Sequence, residues 1–195
     1  MRRIAGILLG IFLVAGMAHA QIPTSGNIFI GYSYSGGDVF VHAPPEVQSA
    51  SHSATLNGWQ ASLESKFLPW IGVVADLAVN YGSHDLPVCG FVLPACSVVN
   101  VDGKRYTLML GPQVSVPIGK FTPFAHALFG GAHMSNNGGG LSSSDTSFAT
   151  AIGGGIDYKI IKGLALRFQG DELRTSLYGG TQNHLRFSTG IDIRF

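Results

Sequence analysis

The sequence predicts an all-β protein, a single eight-stranded antiparallel transmembrane β-barrel with short periplasmic turns and long external loops. Three observations predict this fold: apolar and polar side chains alternate with a period of two, short and long connections alternate along the chain, and aromatic residues gather at strand ends. Of the 195 residues, 46% are hydrophobic and only 12% are charged, about half the charged share of a typical soluble domain. Past residue 20, no apolar stretch is long enough for a spanning helix.

The first twenty residues have the pattern of a secretory signal peptide, so residues 21–195 form the one predicted domain. Two arginines precede an apolar run over 4–17, and Ala18-His19-Ala20 supplies small residues at the two positions that a signal peptidase reads. A membrane anchor is the alternative, but the run is short for a span. Export would take the chain into an oxidising compartment.

Side-chain alternation is clearest in the last strand. There Leu185, Phe187, Thr189, Ile191, Ile193 and Phe195 share one face, and His184, Arg186, Ser188, Gly190, Asp192 and Arg194 share the other. The same reading along the chain gives eight candidate strands, at 27–34, 55–67, 71–82, 104–116, 122–133, 147–158, 164–173 and 183–195. Most of them are long enough to cross a bilayer at a tilt, which takes about 9–11 residues.

The connections between these strands are of two kinds. Those after strands two, four and six are short, as at 68–70 and 117–121. Those after strands one, three, five and seven are long and polar or rich in Gly and Ser, and they cover 35–54, 83–103, 134–146 and 174–182. A soluble sandwich has no reason to place every short turn at one end, whereas an outer-membrane barrel does.

Aromatic residues form two groups at the strand ends. Tyr34, Trp59, Tyr81 and Tyr106 fall near the long connections, and Phe67, Trp70, Phe121, Tyr158 and Phe195 near the short ones. Two such girdles are expected where rings lie at both membrane interfaces. In hydrocarbon every backbone N–H and C=O must be paired, so the strands must close into a barrel. Eight strands enclose an interior just wide enough to be filled by side chains.

The signal peptide, the eight strands and the terminal Arg194-Phe195 resemble the OmpA-type and OmpX-type small outer-membrane β-barrels. Stretches similar to the outer-membrane β-barrel domain branch of that superfamily lie at 56–59, 72–76, 123–127, 153–157 and 190–195. The resemblance implies residence in the outer membrane of a Gram-negative-type bacterium, in contact with its lipid and lipopolysaccharide. It also implies that the barrel-assembly machinery reads Phe195 as an assembly signal.

The polar parity of the strands places ten charged side chains in the predicted lumen, five acids and five bases. They are Glu64, Lys66, Asp76, Arg105, Asp157, Arg167, Asp171, Arg186, Asp192 and Arg194. A balanced set can pair and fill the interior, whereas a selective pore more often carries a ring of one sign. A proton or ion path is the alternative.

Histidines and the overall charge limit the other possible partners. His126 is predicted to be a hydrogen-bonded lumen histidine, with Gln113 and Gln169 as possible neighbours. No metal site or other cofactor is predicted, because the seven histidines are dispersed and have no thiolate partner. A formal net charge of +1 excludes a basic nucleic-acid binder.

The second long connection contains the two cysteines, Cys89 and Cys96. In an oxidising compartment two cysteines this close in an exposed loop are expected to form a disulfide, which would shape the loop. The apolar tip Phe91-Val92-Leu93 could contact an extracellular partner or lipopolysaccharide, or fold over the mouth of its own barrel.

One stretch suggests an enzyme. His133-Met134-Ser135-Asn136 resembles the His-x-Ser-Asn element of the outer-membrane lipid A deacylases, in which a histidine can act as the base for a serine on the same strand face. The match covers four residues at the end of strand five, no suitably placed Glu follows, and Asp145 is expected in a loop.

The sequence therefore favours a non-enzymatic outer-membrane barrel with a structural or surface-interaction role through its external loops. A small passive pore is the first alternative. A lipid A deacylase is the second.

Overall fold

The computed structural model describes residues 25–39, 52–89, 96–138, 141–176 and 182–195. The strands are β1 Ser25–Val39, β2 His52–Leu68, β3 Ile71–Cys89, β4 Cys96–Ser115, β5 Phe121–Gly138, β6 Leu141–Ile161, β7 Leu164–Thr175 and β8 Gln182–Arg194. Each strand pairs with its neighbours antiparallel, and β1 pairs with β8 to close the barrel. The predicted fold class is confirmed. Over the described ranges, no helix has the length and apolar character needed to cross a membrane.

Side chains alternate between the lumen and the outside along most of each strand. Along β7 and β8, buried and exposed residues alternate over nearly the whole strand. Large apolar residues stay exposed on the outer face, including Leu108 at 65% and Ile152 at 71%. The aromatic residues of both predicted girdles are exposed as well: Tyr34, Trp59, Phe67, Trp70, Tyr81, Tyr106, Phe121, Tyr158 and Phe195. This outer face is suited to lipid.

Short connections close one end of the barrel, here called the turn end. They cover 69–70, 116–120 and 162–163. Gly119 and Gly163 have φ values of 64° and 85°, a left-handed conformation that glycine adopts without the steric cost of a Cβ. The opposite end is called the loop end.

At the loop end the strands are longer than expected. Pairing of β3 with β4 continues from Gly82 and Gly103 out to Cys89 and Cys96, and β5 pairs with β6 as far as Gly138. Most of 83–103 and 134–146 is therefore strand, and the predicted loop boundaries there are wrong. An antiparallel ladder needs no apolar face, and side-chain contacts such as Ser83 Oγ donating to Asp102 Oδ1 at 2.6 Å support it in water. Polarity alone therefore does not mark the end of a strand.

Two glycines meet where the barrel closes. Gly31 of β1 lies opposite Gly190 of β8. A Cβ added at Gly190 would come within 2.3 Å of both the Gly31 Cα and the Ile30 carbonyl oxygen. These are backbone atoms that cannot turn aside, so the seam requires glycine at this point.

Gly190→Ala is expected to lower the free energy of unfolding by about 1–3 kcal/mol, because the new methyl group overpacks the seam. Urea unfolding of the refolded barrel in detergent measures the effect. Gly170→Ala is the matched control, since its Cβ would meet only Phe187 ring carbons at 3.5 and 3.6 Å. Equal stability losses in the two variants would show that the seam is not specially tight.

Candidate functional site

The lumen is the candidate site, and it is lined mainly by charged and polar side chains. Of the ten charged residues predicted there, eight are almost fully buried: Glu64, Asp76, Arg105, Asp157, Arg167, Asp171, Arg186 and Asp192. Lys66 and Arg194, close to the turn end, are partly exposed. Burying charges is costly unless each finds a partner, so the arrangement of the pairs decides what the lumen can do.

Arg186 is the centre of the first cluster. Its Nη1 donates to Asp76 Oδ1 at 2.9 Å, and its Nη2 and Nε donate to Asp171 Oδ2 at 2.7 and 2.9 Å. Gln60 donates to Asp76 and accepts from Ser188. The guanidinium of β8 therefore joins carboxylates of β3 and β7 across the lumen.

His126 belongs to the same Arg186 cluster. Its Nε2 lies 2.9 Å from Asp171 Oδ1, and Gln169 donates to Asp171 Oδ2 at 2.9 Å. Gln113 lies opposite His126 in the β4–β5 register. The hydrogen-bond partner of the histidine is thus Asp171 and not either of the expected glutamines. A carboxylate two strands away in the barrel wall cannot be identified from parity alone.

Arg167 is the centre of a second cluster, nearer the turn end. Its Nε and Nη2 donate to the two oxygens of Asp157 at 2.7 and 2.9 Å, and Nη2 lies 3.1 Å from Asp192 Oδ1. The paired geometry is the strong, bidentate form of an arginine–carboxylate contact. The guanidinium carbon also lies 5.3 and 4.5 Å from the ring centroids of Phe29 and Phe124, which adds cation–π contacts.

Partly exposed cations complete the pairing at the turn end. Arg194 donates to Asp157 Oδ2 at 2.8 Å and to Asp192 Oδ2 at 3.0 Å. Lys66 Nζ lies 3.7 Å from Glu64 Oε1, and Asn27 donates to Glu64 Oε2 at 2.7 Å. All five predicted acids therefore have a basic partner.

Arg105 differs from the other lumen arginines. It is 1% exposed, and Nη2 donates to Ser35 Oγ. It forms no ion pair with a carboxylate in the part of the chain that the structure describes. Among the described residues, Arg105 therefore stands apart from the pairs that the other nine predicted residues form. Counting charges on one parity ignores their position along the strand, and Arg105 lies four residues closer to the loop end than Met109, the β4 residue opposite Asp76.

Sequence reasoning also missed two side chains of the lumen. Phe29 and Phe124 are aromatic residues on the polar parity, a break in the alternation that could have identified them. Gln60 and His184 are buried on that parity too. Within the described ranges, no three His, Cys, Asp or Glu side chains are grouped in a way that could hold a metal ion.

The residues of the possible deacylase element lie on two different faces. His133 and Ser135 belong to β5 and face outward, and His133 Nδ1 lies 2.7 Å from Thr146 Oγ1. Asp145 lies in β6 opposite the buried Met134, so it is on the inward parity. The expected loop position of Asp145 and the strand-end position of the His-x-Ser element are both wrong, because the β5–β6 ladder continues past them. Asp145 cannot orient His133 from the other face of the sheet.

Ser135→Ala is expected to leave lipid A unchanged, because Asp145 lies on the inward parity of the sheet whereas His133 and Ser135 face outward. Mass spectra of lipid A from a Gram-negative host that expresses the wild type or the variant test this. The spectrum of cells without the protein is the control. Loss of one acyl chain with the wild type but not with the variant would contradict it.

The two cysteines lie opposite each other at the last register position of β3 and β4. Directly opposed residues of an antiparallel pair have Cα atoms about 4.5–5.5 Å apart, within the range of a disulfide. The register is thus compatible with a Cys89–Cys96 bond, which remains a prediction. The signal peptide and the apolar tip at 91–93 lie outside the described residues.

Comparison with known proteins gives similarity in structure only. No family model matches the sequence, and no curated protein matches it. Ail of Yersinia pestis, solved with the heparin analogue sucrose octasulfate, has a TM-score of 0.58 at 17% identity, covering 88% of this chain and 98% of Ail. Neisserial surface protein A has a TM-score of 0.63 at 12% identity, covering 87% of this chain and 97% of that protein. The outer-membrane protease OmpT of Escherichia coli has a TM-score of 0.51 at 9% identity, covering 89% of this chain and 97% of OmpT.

The chain therefore has the fold of the small outer-membrane β-barrels, as the sequence predicted. Its exposed apolar outer face is that of a protein embedded in the outer membrane.

Proposed function

We propose that this outer-membrane barrel is non-enzymatic and has a closed, structural lumen, and that its extended hairpins interact with partners outside the cell. The length of the strands supports the role of the hairpins outside the cell. Strands β3 to β6 have 19, 20, 18 and 21 residues, against 12 and 13 for β7 and β8. Since a span takes about 9–11 residues, the long strands extend past the membrane by about 8–10 residues, roughly 25–35 Å along the strand.

The described part of this projecting sheet has a polar surface. Asp102, Asn137 and Ser144 are exposed there. At its base, Lys104 Nζ lies 5.7 Å from the centroid of the Tyr81 ring. A cation beside an interfacial aromatic ring is well placed to contact the phosphates of lipopolysaccharide. The sheet beyond it would then meet an extracellular ligand, and Ail, which has the same fold, was crystallised in complex with the heparin analogue sucrose octasulfate.

Trimming a hairpin tests the surface role. Replacing residues 86–99 with the dipeptide Asn-Gly would close the β3–β4 hairpin directly after the Asp85–Asn100 pair, with a turn that suits antiparallel strands. We expect normal assembly in the outer membrane and reduced attachment of expressing bacteria to epithelial cells or to one another. A trimmed barrel that assembles and supports attachment as the wild type does would contradict the surface role.

Ion pairing supports a closed lumen over a passive pore. The Arg186 cluster joins β8 to β7 and, across the lumen, to β3, and the Arg167 cluster joins the adjacent strands β6, β7 and β8 nearer the turn end. Both clusters contain buried cations and buried acids. A hydrated ion would have to separate these pairs in order to pass. During biogenesis the expected partner remains the barrel-assembly machinery, acting through Phe195.

A further inference from the structure

Three buried arginines lie in the lumen, and two of them form ion pairs with the acids around them. Arg167 contacts Asp157 and Asp192, and Arg186 contacts Asp76 and Asp171. Arg105 is as deeply buried as either, yet its one hydrogen bond in the described chain goes to the neutral Ser35 hydroxyl. Its Nε has no partner there. A buried cation without a counterion is strongly disfavoured.

Other donors without partners lie at the same end of the lumen. Gln182 Nε2 and Thr175 Oγ1 are buried and unpartnered, and these two residues lie opposite each other in the β7–β8 register. His184 Nε2 lies 3.3 Å from Gln182 Oε1. Ser35, which accepts from Arg105, lies opposite Arg186 in the β1–β8 register, and His184 is the next inward residue of β8 toward the loop end. Neither Ser35, His184 nor Arg186 brings a negative charge to Arg105.

The wall next to Arg105 is built partly of glycine, and the side chains of Asn136 and Met134 lie over Gly103. Gly82 and Gly103 lie opposite each other on the inward parity, one step closer to the loop end than Arg105. They contribute no side chains to the lumen at that level. The next inward side chain of β5, Asn136, has its Oδ1 3.1 Å from where a Cβ of Gly103 would lie.

From these observations we infer that the loop-side half of the lumen is a binding site for a small oxyanion, a phosphate or a carboxylate, held by the guanidinium of Arg105 and the amide of Gln182. The planar fork of an arginine matches the oxygens of such anions. The negative charge would also reduce the repulsion between Arg105 and Arg186. Arg105 and Gln182 take part in neither ion-pair cluster, so the inference does not depend on whether the lumen conducts.

Calorimetry on the refolded wild-type barrel in detergent, titrated with inorganic phosphate at constant ionic strength set with chloride, tests the site. Acetate serves as the carboxylate probe. We expect saturable binding of at least one of the two, and binding at least about tenfold weaker in Arg105→Met, because a charge-assisted hydrogen-bonding partner is lost. Arg174→Met removes an exposed, outward-facing cation of β7 and is the matched control, which should bind as the wild type does.

Gln182→Met covers the case in which Arg105→Met does not fold. It keeps the arginine and a similar volume but removes the unpartnered amide, and it should bind several-fold more weakly than the wild type. Wild-type protein that binds neither anion saturably would overturn the inference. Equal binding in the wild type, Arg105→Met and Arg174→Met would overturn it too, as would unchanged binding in Gln182→Met.

Discussion

Arg186→Met should lower the free energy of unfolding of the barrel by about 3–5 kcal/mol, the usual cost of removing one partner from a buried ion pair. Methionine keeps most of the side-chain volume, so the loss reports on charge. Asp76 and Asp171, both nearly fully buried, lose the guanidinium that they share. Urea unfolding of the refolded protein, followed by the change in electrophoretic mobility between folded and unfolded barrel, measures the difference.

Two further proteins separate charge from packing in this experiment. The triple variant Arg186→Met, Asp76→Asn, Asp171→Asn has no buried carboxylate left without its cation at this level, and it should regain much of the lost stability. Arg174→Met, on the exposed outer face, should change stability by less than about 0.5 kcal/mol. If Arg186→Met is no less stable than Arg174→Met, the Arg186 cluster does not stabilise the folded barrel.

Phe195→Asp should abolish assembly into the outer membrane while leaving export intact. Phe195 lies at the β1–β8 seam, where its N–H donates to the Gly26 carbonyl and its own carbonyl accepts from the Gly26 N–H, both at 3.0 Å. The ring lies against Gly26, so close that a Cβ added there would be 2.7 Å from Phe195 Cζ. Loss of this residue removes both the expected assembly signal and the last contact that closes the sheet edge.

Phe121→Asp is the matched control for the terminal residue. Phe121 is also an exposed ring at the turn end, at the start of β5. A charge near the membrane interface costs only about 0–1 kcal/mol, so this variant should assemble. Cell fractionation and protease accessibility of the hairpins report assembly. Normal outer-membrane levels of Phe195→Asp, or equal failure of both variants, would contradict a special role for the last residue.

The sequence predicted the faces of the strands well, because the side-chain period of a strand is fixed at two. Alternation correctly placed the side chains of Arg186 and Asp76 in the lumen. It could not pair them, since they are 110 residues apart on strands that are not neighbours. The contact depends on how the sheet curves and on the stagger of its strands, and neither leaves a periodic signal.

Side-chain alternation also could not give the positions of the strand ends or the depth of Arg105 in the lumen. The β5–β6 ladder continues through Asn136 and Ser143, where hydrophobic alternation has already ended, because backbone pairing persists in water without it. Arg105 was assigned to the balanced set on parity alone. Its distance from the acids depends on its position along β4, which could have been estimated only by counting residues from the turn end.

The central claim, that paired charges close the lumen, is tested most directly by current recordings on the refolded protein in a planar bilayer. The wild type should show little or no steady conductance. Arg167→Ala should open measurable channels, because Asp157 and Asp192 lose a shared cation and water must enter the space left by the side chain. Reproducible open channels from the wild type, unchanged by this truncation, would contradict the claim and favour the passive pore.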